Sequence, residues 1–296
     1  MINEIEKKIH YYKLACKTFE ENKNVTQVLV ANGASKSTSI EIAYELQAGE
    51  YTNNFNESQL KRNLEIHKII NKYVSSPEVN SVAVLGVGEA KNWIGYEGKI
   101  EQFYGLELSY SRLRYAHDNL LKLSGITTIN LLKGDATQKV FQKNAVDLSI
   151  TLHAIEPNGN DQGTLMLENA IECSSKYVLL FEPDFSTAPK EMKERMLMHD
   201  YVQNIDENLS RMDSVILKER FIMDIQETDN NLTTCWVVEK KIKNDANNKF
   251  VCPFSGCQLK EYPNFMYSPE TGLAYPRVGN FRCINKTDAI FIGMAE

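Results

Sequence analysis

The feature that most constrains this chain is an apolar run that ends in two glycines, Val82-Ala83-Val84-Leu85-Gly86-Val87-Gly88-Glu89-Ala90. Consecutive apolar residues of this kind are typical of a parallel strand that is buried on both faces. Glycines directly after a strand predict a turn in which the backbone comes close to a ligand or to a packed helix. The run therefore predicts an α/β fold with a binding turn at the end of this strand.

Two kinds of nucleoside cofactor are bound by a strand, a glycine turn and a helix: dinucleotides and S-adenosylmethionine. The dinucleotide pattern G-x-G-x-x-G requires a glycine at position 91, where this chain has Lys91. A side chain of that size would obstruct the close contact between helix and strand that the third glycine permits. The turn thus favours S-adenosylmethionine.

Two further predicted strands end in acidic residues. Phe103–Ser109 contains Glu107, about twenty residues after the glycines, which is the spacing at which a carboxylate can accept both ribose hydroxyls. The next segment, Thr127–Leu132, is followed by Gly134-Asp135-Ala136. At that position Asp135 can accept a hydrogen bond from the adenine amino group.

A fourth apolar segment, Ala145–Leu152, stops at His153-Ala154-Ile155-Glu156-Pro157. In order and spacing, the four strand ends resemble the successive motifs of class I S-adenosylmethionine-dependent methyltransferases, over roughly residues 76–240. The resemblance implies a cofactor site whose members are Gly86, Val87, Gly88, Glu89, Glu107, Leu108, Asp135, Ala136 and His153.

The chain departs from the family pattern at two positions. Val84 stands where the family usually has an acid, and Ala90 stands where it usually has a third glycine. That acid normally interacts with the methionine end of the cofactor, so its role is open here. Glu89, inside the turn, either takes this role or faces solvent.

Helical segments are predicted before the glycine strand. One of them, Glu45–Tyr51, resembles the tyrosine-containing helix with which small methyltransferases close over the cofactor. This resemblance predicts that Tyr44 and Tyr51 contact the cofactor. The alternative is that both tyrosines only pack an N-terminal helix onto the sheet.

Methyl transfer to a hydroxyl requires a base, and an imidazole is suited to this role near neutral pH. Since His153 is the one histidine at the carboxyl end of a predicted strand, it is the candidate base. Glu156 would orient it or contact the acceptor. The alternative for His153 is a capping or packing residue beside the adenosine. Glu182, after the fifth predicted strand, is a second possible acceptor contact.

Strands alternate with helices five times as far as Tyr177–Phe181, which predicts a doubly wound, mostly parallel sheet. Ser214–Phe221 and Thr233–Glu239, joined by Asp229-Asn230-Asn231, predict a hairpin. A seven-stranded sheet with an antiparallel last strand is also what the methyltransferase resemblance implies. Between these elements, the methionines of Pro189–Asn208 indicate either core packing or a contribution to acceptor specificity.

The residues after a polar linker at Lys240–Lys249 form a predicted small β-rich unit, 250–296, beside an N-terminal helical cap, 1–75, and a core, 76–240. Its cysteines 252, 257 and 283 resemble a degenerate zinc-ribbon-like module, similar to the small activator subunit of certain tRNA and protein methyltransferases. A structural zinc site needs four thiolate or imidazole ligands. Since this unit has three cysteines and no histidine, no metal is expected.

Composition limits the partners. A formal charge of −6 argues against a nucleic-acid surface. The sequence contains no apolar run of about twenty residues, which a membrane-spanning helix would require. The first residues do not resemble a signal peptide, so a cytoplasmic protein with reduced cysteines is expected. The oligomeric state is left open.

Together the sequence predicts methyl transfer to a small-molecule hydroxyl, such as that of a sugar or secondary metabolite. One alternative is a methyltransferase that acts on tRNA or protein, with the C-terminal unit as a built-in partner. A second alternative is a non-catalytic protein that binds S-adenosylmethionine.

Overall fold

The computed structural model describes residues 4–226, 228, 230–247 and 249–293. The chain begins with five helices, which are α1 (Glu4–Glu20), α2 (Val25–Ala31), α3 (Lys36–Leu46), α4 (Glu50–Asn53) and α5 (Glu57–Val74). Asparagine or serine caps three of these helices, because their side chains accept a hydrogen bond from the first turn. We refer to α1–α4 as the helical cover.

Seven strands form the central sheet. They are β1 (Ser81–Leu85), β2 (Ile100–Glu107), β3 (Ile126–Lys133), β4 (Val146–Leu152), β5 (Ser174–Pro183), β6 (Val215–Ile222) and β7 (Thr233–Lys240). Their spatial order is β6-β7-β5-β4-β1-β2-β3. The pairs from β5 to β3 are parallel, whereas β7 is antiparallel to both β5 and β6. The predicted fold class is therefore confirmed. Asp229 of the predicted hairpin turn lies outside the described residues.

The remaining helices flank this sheet. They are α6 (Tyr110–Leu120), α7 (Gly159–Cys173), α8 (Lys190–Met198) and α9 (Ile205–Ser210). Apolar clusters on its two faces contain Leu106 and Leu180 on one side and Phe103 and Phe181 on the other. Only a short 3-10 turn, Lys91–Trp93, follows the glycine turn. No helix in the described part of the chain combines the length and apolarity that a membrane span requires.

The C-terminal residues extend the same sheet. They contain β8 (Lys260–Glu261), β9 (Phe265–Ser268), β10 (Leu273–Val278), β11 (Phe281–Cys283) and β12 (Ile290–Phe291). Of these, β11 pairs in parallel with β3, and β10, β9 and β8 follow it. This pairing places the C-terminal residues next to the end of β3, and therefore near Asp135.

Candidate active site

The carboxyl ends of β1, β2, β3 and β4 open into one cavity of about 410 Å³. Ligands of open α/β sheets bind at this edge. The residues predicted for the cofactor and for the base pair all line this cavity, namely Tyr44, Tyr51, Gly86, Val87, Gly88, Glu89, Glu107, Leu108, Asp135, Ala136, His153 and Glu156. The structure thus brings together residues that are up to 112 positions apart in the chain.

The two glycines of the turn are required for different reasons. Both have left-handed backbone conformations, with φ of +74° at Gly86 and +58° at Gly88. A Cβ on Gly86 would lie 2.5 Å from the Cβ of Ala154, because the turn after β4 packs directly against it. A Cβ on Gly88 would meet no atom within 4 Å. Gly86 thus permits close packing, and Gly88 borders open space in the cavity.

Glu107 ends β2 with its side chain directed at the glycine turn. Its Oε2 accepts a hydrogen bond from the amide of Gly88 at 2.8 Å, and its Oε1 accepts one from the amide of Ser109 at 2.9 Å. The residue is buried. A carboxylate has about four acceptor positions, so two remain for hydroxyl groups of a ligand.

Asp135 lies at the end of β3 and already has three hydrogen bonds. Its Oδ1 accepts from the amide and hydroxyl of Thr137, at 2.9 and 2.6 Å. Its Oδ2 accepts from the hydroxyl of Ser37 at 2.6 Å. Since Ser37 belongs to α3, the carboxylate predicted to face adenine also holds the helical cover in place.

Glu89 is buried, so the alternative in which it faces solvent is wrong. Its carboxylate accepts hydrogen bonds from the amides of Gly49 and Thr52, at 2.8 and 2.7 Å, and from the hydroxyl of Thr52. These groups form the first turn of α4, where unpaired N–H groups favour a negative charge. Glu89 thus fixes the cover to the glycine turn.

The cover tyrosines contact two cations. The guanidinium carbon of Arg112 lies 3.8 Å from the ring centre of Tyr44 and 4.8 Å from that of Tyr51. The Nζ of Lys91 lies 4.8 Å from the ring centre of Tyr51. Cations over aromatic rings are attracted to them, most strongly where water is excluded. Sequence reasoning did not assign Arg112 to the site.

His153 and Glu156 form the hydrogen-bonded pair that the sequence predicted. The Nδ1 of His153 lies 2.6 Å from Oε2 of Glu156, and its Nε2 lies 2.7 Å from the hydroxyl of Thr233. Arg62 donates to the same hydroxyl oxygen at 3.1 Å. With Arg62 donating, the Thr233 proton is directed to Nε2, and Nδ1 carries the proton shared with Glu156.

Charges around this pair act on Glu156. Burial by itself would raise the pKa of the Glu156 carboxyl, but the nearby His153, with a hydrogen bond from Asn231, lowers it below its usual value. Arg195 adds a longer ion pair at 3.9 Å. Glu156 is therefore an ionised group that orients the imidazole.

The prediction that Glu182 contacts the acceptor is wrong. This residue lies fully buried beneath the turn that follows β4. It accepts hydrogen bonds from the amides of Ala154, Ile155 and Glu156, at 3.0, 3.2 and 3.2 Å. Burial raises the pKa of this carboxyl. Glu182 thus holds the backbone of the turn that carries His153.

The methionine-rich segment contributes both to the core and to the cavity. Met192 and Met196 are buried with Ala188, as expected for core residues. Arg195 and Tyr201 of the same segment line the cavity. Sequence reasoning also missed Arg62 and Asn231, which reach the cavity from α5 and from the loop before β7.

No protein-family model and no curated protein sequence matches the chain. Solved structures resemble it in fold. Magnesium protoporphyrin IX methyltransferase from Synechocystis PCC 6803, with bound S-adenosylhomocysteine, has a TM-score of 0.53 at 10% identity, over 69% of this chain and 99% of that one. The same enzyme with S-adenosylmethionine has a TM-score of 0.51 at 11% identity, over 71% and 99%.

The N-methyltransferase NodS from Bradyrhizobium japonicum WM9, with S-adenosylhomocysteine, gives a TM-score of 0.50 at 12% identity, over 74% of this chain and 100% of that one. Identities this low show a likeness of fold and do not transfer an acceptor. Together with the strand order and the antiparallel β7, they show that this chain has the Rossmann-like fold of the class I methyltransferases.

Proposed function

We propose that the protein transfers a methyl group from S-adenosylmethionine to a small-molecule hydroxyl. The observation that carries this proposal is the placement of Glu107. Its carboxylate lies against the Gly86–Gly88 turn and in the same cavity as Asp135 and His153. This is the arrangement expected for a ribose-binding acid at the second strand of the fold. The fold neighbours, crystallised with S-adenosylmethionine or S-adenosylhomocysteine, support the same cofactor.

The residues present fit this cofactor. Glu107 retains acceptor positions for the ribose hydroxyls, and Leu108 and Ala136 border the cavity beside Asp135 on the adenine side. The open space next to Gly88 leaves room for the remainder of the cofactor. When bound, the cofactor supplies an activated methyl group on a sulfonium sulfur.

The acceptor would be positioned by the other half of the cavity. Tyr51 from the cover, Arg195 and Tyr201 from the methionine-rich segment, and Asn231 before β7 line the same cavity as His153. A cavity of about 410 Å³ falls within the usual range of small-ligand pockets, roughly 300–1,000 Å³. Its size and its helical cover support a small acceptor over a polymer.

Proton removal is the step that this chain's residues would perform. For this step the imidazole has to turn from the buried Thr233 so that Nε2 meets the acceptor hydroxyl, whose proton passes to that nitrogen. Glu156 then stabilises the resulting imidazolium through Nδ1. Aligning the acceptor in this way can supply roughly 7–11 kcal/mol of the barrier.

Calorimetry with S-adenosylhomocysteine tests the cofactor assignment. Glu107→Gln should weaken binding at least about tenfold, because the amide supplies fewer acceptor positions and no charge. Glu101→Gln, at an exposed position of β2, is the matched control and should bind normally. Absence of binding by the unmodified protein, or equal affinity in Glu107→Gln, would refute the assignment.

Turnover tests the acceptor assignment. Incubation with labelled S-adenosylmethionine and a panel of hydroxylated small molecules should release S-adenosylhomocysteine, and His153→Gln should reduce the rate.

A second candidate function is cofactor binding without catalysis. It is favoured by the engagement of both His153 nitrogens and by Val84 in place of the usual acid. Tight binding of S-adenosylhomocysteine without turnover on any acceptor would support it.

A further inference from the structure

Arg112 lies between Glu107 at the end of β2 and the tyrosines of the helical cover. It lies in the first turn of α6, where the hydroxyl of Ser109 accepts a hydrogen bond from its amide at 3.1 Å. Its side chain is 7% exposed and lines the cavity. The Glu107 carboxylate opposes the effect of burial and stabilises the guanidinium charge, and Tyr44 lies across its face.

The guanidinium of Arg112 has unused donors. Its Nε and Nη2 are buried and have no hydrogen-bond partner among the described residues. Buried N–H groups nearly always have a partner, because leaving one unpaired forfeits the hydrogen bonds that it would make to water. By contrast, the buried Lys133 has two carboxylate partners, Glu41 and Asp288. The two unpaired donors of Arg112 thus indicate that a bound ligand completes this part of the cavity.

We propose that Arg112 is a nucleoside-binding residue whose Nε and Nη2 donate to the ribose oxygens of the ligand held by Glu107. This inference rests on the proposed function. The two side chains are complementary, because the ribose hydroxyls donate their protons to the carboxylate and their oxygens accept from the guanidinium. A planar guanidinium presents two parallel N–H groups, which suits a pair of adjacent oxygens.

The same contact connects the ligand to the cover. A guanidinium fixed by the ribose presents a fixed cationic face to Tyr44 and Tyr51. Ligand binding should therefore stabilise the closed position of α3 and α4. Arg112 acts here through binding and positioning and does not contact the reacting atoms.

The test compares Arg112→Lys with Arg114→Lys, which lies at an exposed position of the same helix. Lysine keeps the charge opposite Glu107 but lacks the two N–H groups of the planar fork. Two ligands are titrated: S-adenosylhomocysteine and 5′-methylthioadenosine, a thioether of the same nucleoside without the amino-acid part. We expect Arg112→Lys to lose about tenfold or more in affinity for both ligands, and by a similar factor, because the lost contacts are to the ribose. Arg114→Lys should bind both ligands normally.

Three results would overturn this proposal. Unchanged affinity in Arg112→Lys would show that the guanidinium does not contact the ligand, while the proposed function would stand. A loss confined to S-adenosylhomocysteine would move the contact from the ribose to the amino-acid end. Failure of the unmodified protein to bind either ligand would refute the proposed function together with this inference. Thermal melting without ligand verifies folding, and Arg112→Gln serves for the same comparison if the lysine variant does not fold.

Discussion

At the scale of single residues, the turn after β4 is held in a conformation that a non-glycine residue rarely adopts. His153 has a φ of +50°, in the left-handed region. Glu182 fixes the backbone from below, and Glu156 and Thr233 fix the imidazole from two sides. Strained residues of this kind persist where the surroundings over-determine them, and they cluster at functional sites. The turn is thus shaped to present one side chain to the cavity.

The two glycines of the β1 turn should respond differently to alanine. Gly86→Ala must displace Ala154 as well as strain the backbone, so we expect a loss of about 3 kcal/mol in the free energy of unfolding. Gly88→Ala adds only the backbone term, about 1 kcal/mol. Its new methyl group enters the open space of the cavity, so it should weaken binding of S-adenosylhomocysteine. Denaturant unfolding and calorimetry measure the two effects, and equal losses of stability would contradict this packing.

Glu156 should make stability depend on pH. Its pKa is lower in the folded chain than in the unfolded chain, so the stabilisation is present above the usual glutamate pKa and is lost as the pH falls through the lowered value. Glu156→Gln should therefore cost about 1–2 kcal/mol at pH 7, and this cost should shrink as the pH falls below the usual glutamate pKa.

Thermal melting of the two proteins at several pH values measures this difference. Glu168→Gln, at an exposed position of α7, is the control and should melt like the unmodified protein throughout. If the difference in melting temperature between Glu156→Gln and the unmodified protein grew as the pH fell, the prediction would be contradicted.

The sequence predicted the positions of those site residues that come directly after a strand, because the order of the strands is fixed by the fold. Glu107 and Asp135 could be placed because strand, turn and spacing determine where their Cα atoms lie. Arg62 and Arg112 could not be placed, since each reaches the cavity only when α5 or α6 packs beside the sheet, and the contact of Thr233 with His153 forms only when β7 joins it. Such contacts depend on tertiary structure and leave no periodic signal in the chain.

At the scale of elements, carboxylates attach the helical cover to the rest of the molecule. Besides Glu89, Glu45 accepts hydrogen bonds from the amides of Tyr110 and Ser111 at the start of α6. Glu41 pairs with Lys133 at 3.1 Å, and Lys133 also pairs with Asp288 at 3.1 Å. Lys133 therefore joins the cover, β3 and the C-terminal residues at a single point beside Asp135.

Replacing this lysine should weaken all three elements. Burial by itself would lower the pKa of Lys133, but Glu41 and Asp288 raise it above its usual value. Lys133→Met removes the cation that Glu41 and Asp288 share and leaves Glu41 with Lys8 alone, so we expect a loss of about 2 kcal/mol at neutral pH. Adding Asp288→Asn to this variant should restore part of the lost stability, because it removes an unpaired negative charge. Denaturant unfolding measures both, with Lys99→Met at an exposed position as the control.

A Lys133→Met protein as stable as the unmodified one would show that the cation does not connect these elements. A double variant less stable than Lys133→Met would show that Asp288 contributes through a different contact.

The C-terminal cysteines lie in a hydrogen-bonded cluster. The Sγ of Cys252 is 3.1 Å from the hydroxyl of Tyr275, and the Sγ of Cys257 is 3.2 Å from that of Ser268. Thr271 donates to Ser268 at 2.7 Å. Burial raises the pKa of Cys252, but hydrogen bonds from Tyr275, Ser255 and Ser268 lower it to about 6. Each of these two thiols thus has a hydroxyl group as its neighbour.

This cluster predicts that a chelator leaves the thermal midpoint unchanged. Within the described ranges, no group of three or more His, Cys, Asp or Glu is placed to hold a metal ion. A double variant, Ser268→Cys with Thr271→Cys, would supply four thiols and should become sensitive to chelation in the presence of zinc. Release of stoichiometric zinc from the unmodified protein would contradict the prediction.

The sequence predicted the helices and strands better than it predicted which strands pair. The helical segments before β1 and the β6–β7 hairpin follow from local pattern. The pairing of β11 with β3 does not, because a strand of three residues carries no signal for its neighbour. This pairing requires a glycine at position 134, since a Cβ there would lie 2.7 Å from the carbonyl oxygen of Ile284.

At the scale of the whole molecule, one apolar cluster runs through both the central sheet and the C-terminal residues. It includes Leu106 and Phe141 together with Met266 and Tyr275. The ring of Phe250 lies 5.6 Å from that of Phe141 and 5.9 Å from that of Tyr104, in the arrangement of packed aromatic pairs. Neither part closes its core without the other, so the two should unfold together.

Scanning calorimetry should therefore show a single cooperative transition for the full chain. Met266→Ala, which removes a buried side chain of the C-terminal part, should cost about 3 kcal/mol and lower the midpoint of the whole transition. Met198→Ala, at a residue that is 65% exposed, is the matched control and should leave the midpoint unchanged. If Met266→Ala instead split the transition into two, the C-terminal residues would fold on a core of their own, and their contacts with β3 would be a docking surface between separate units.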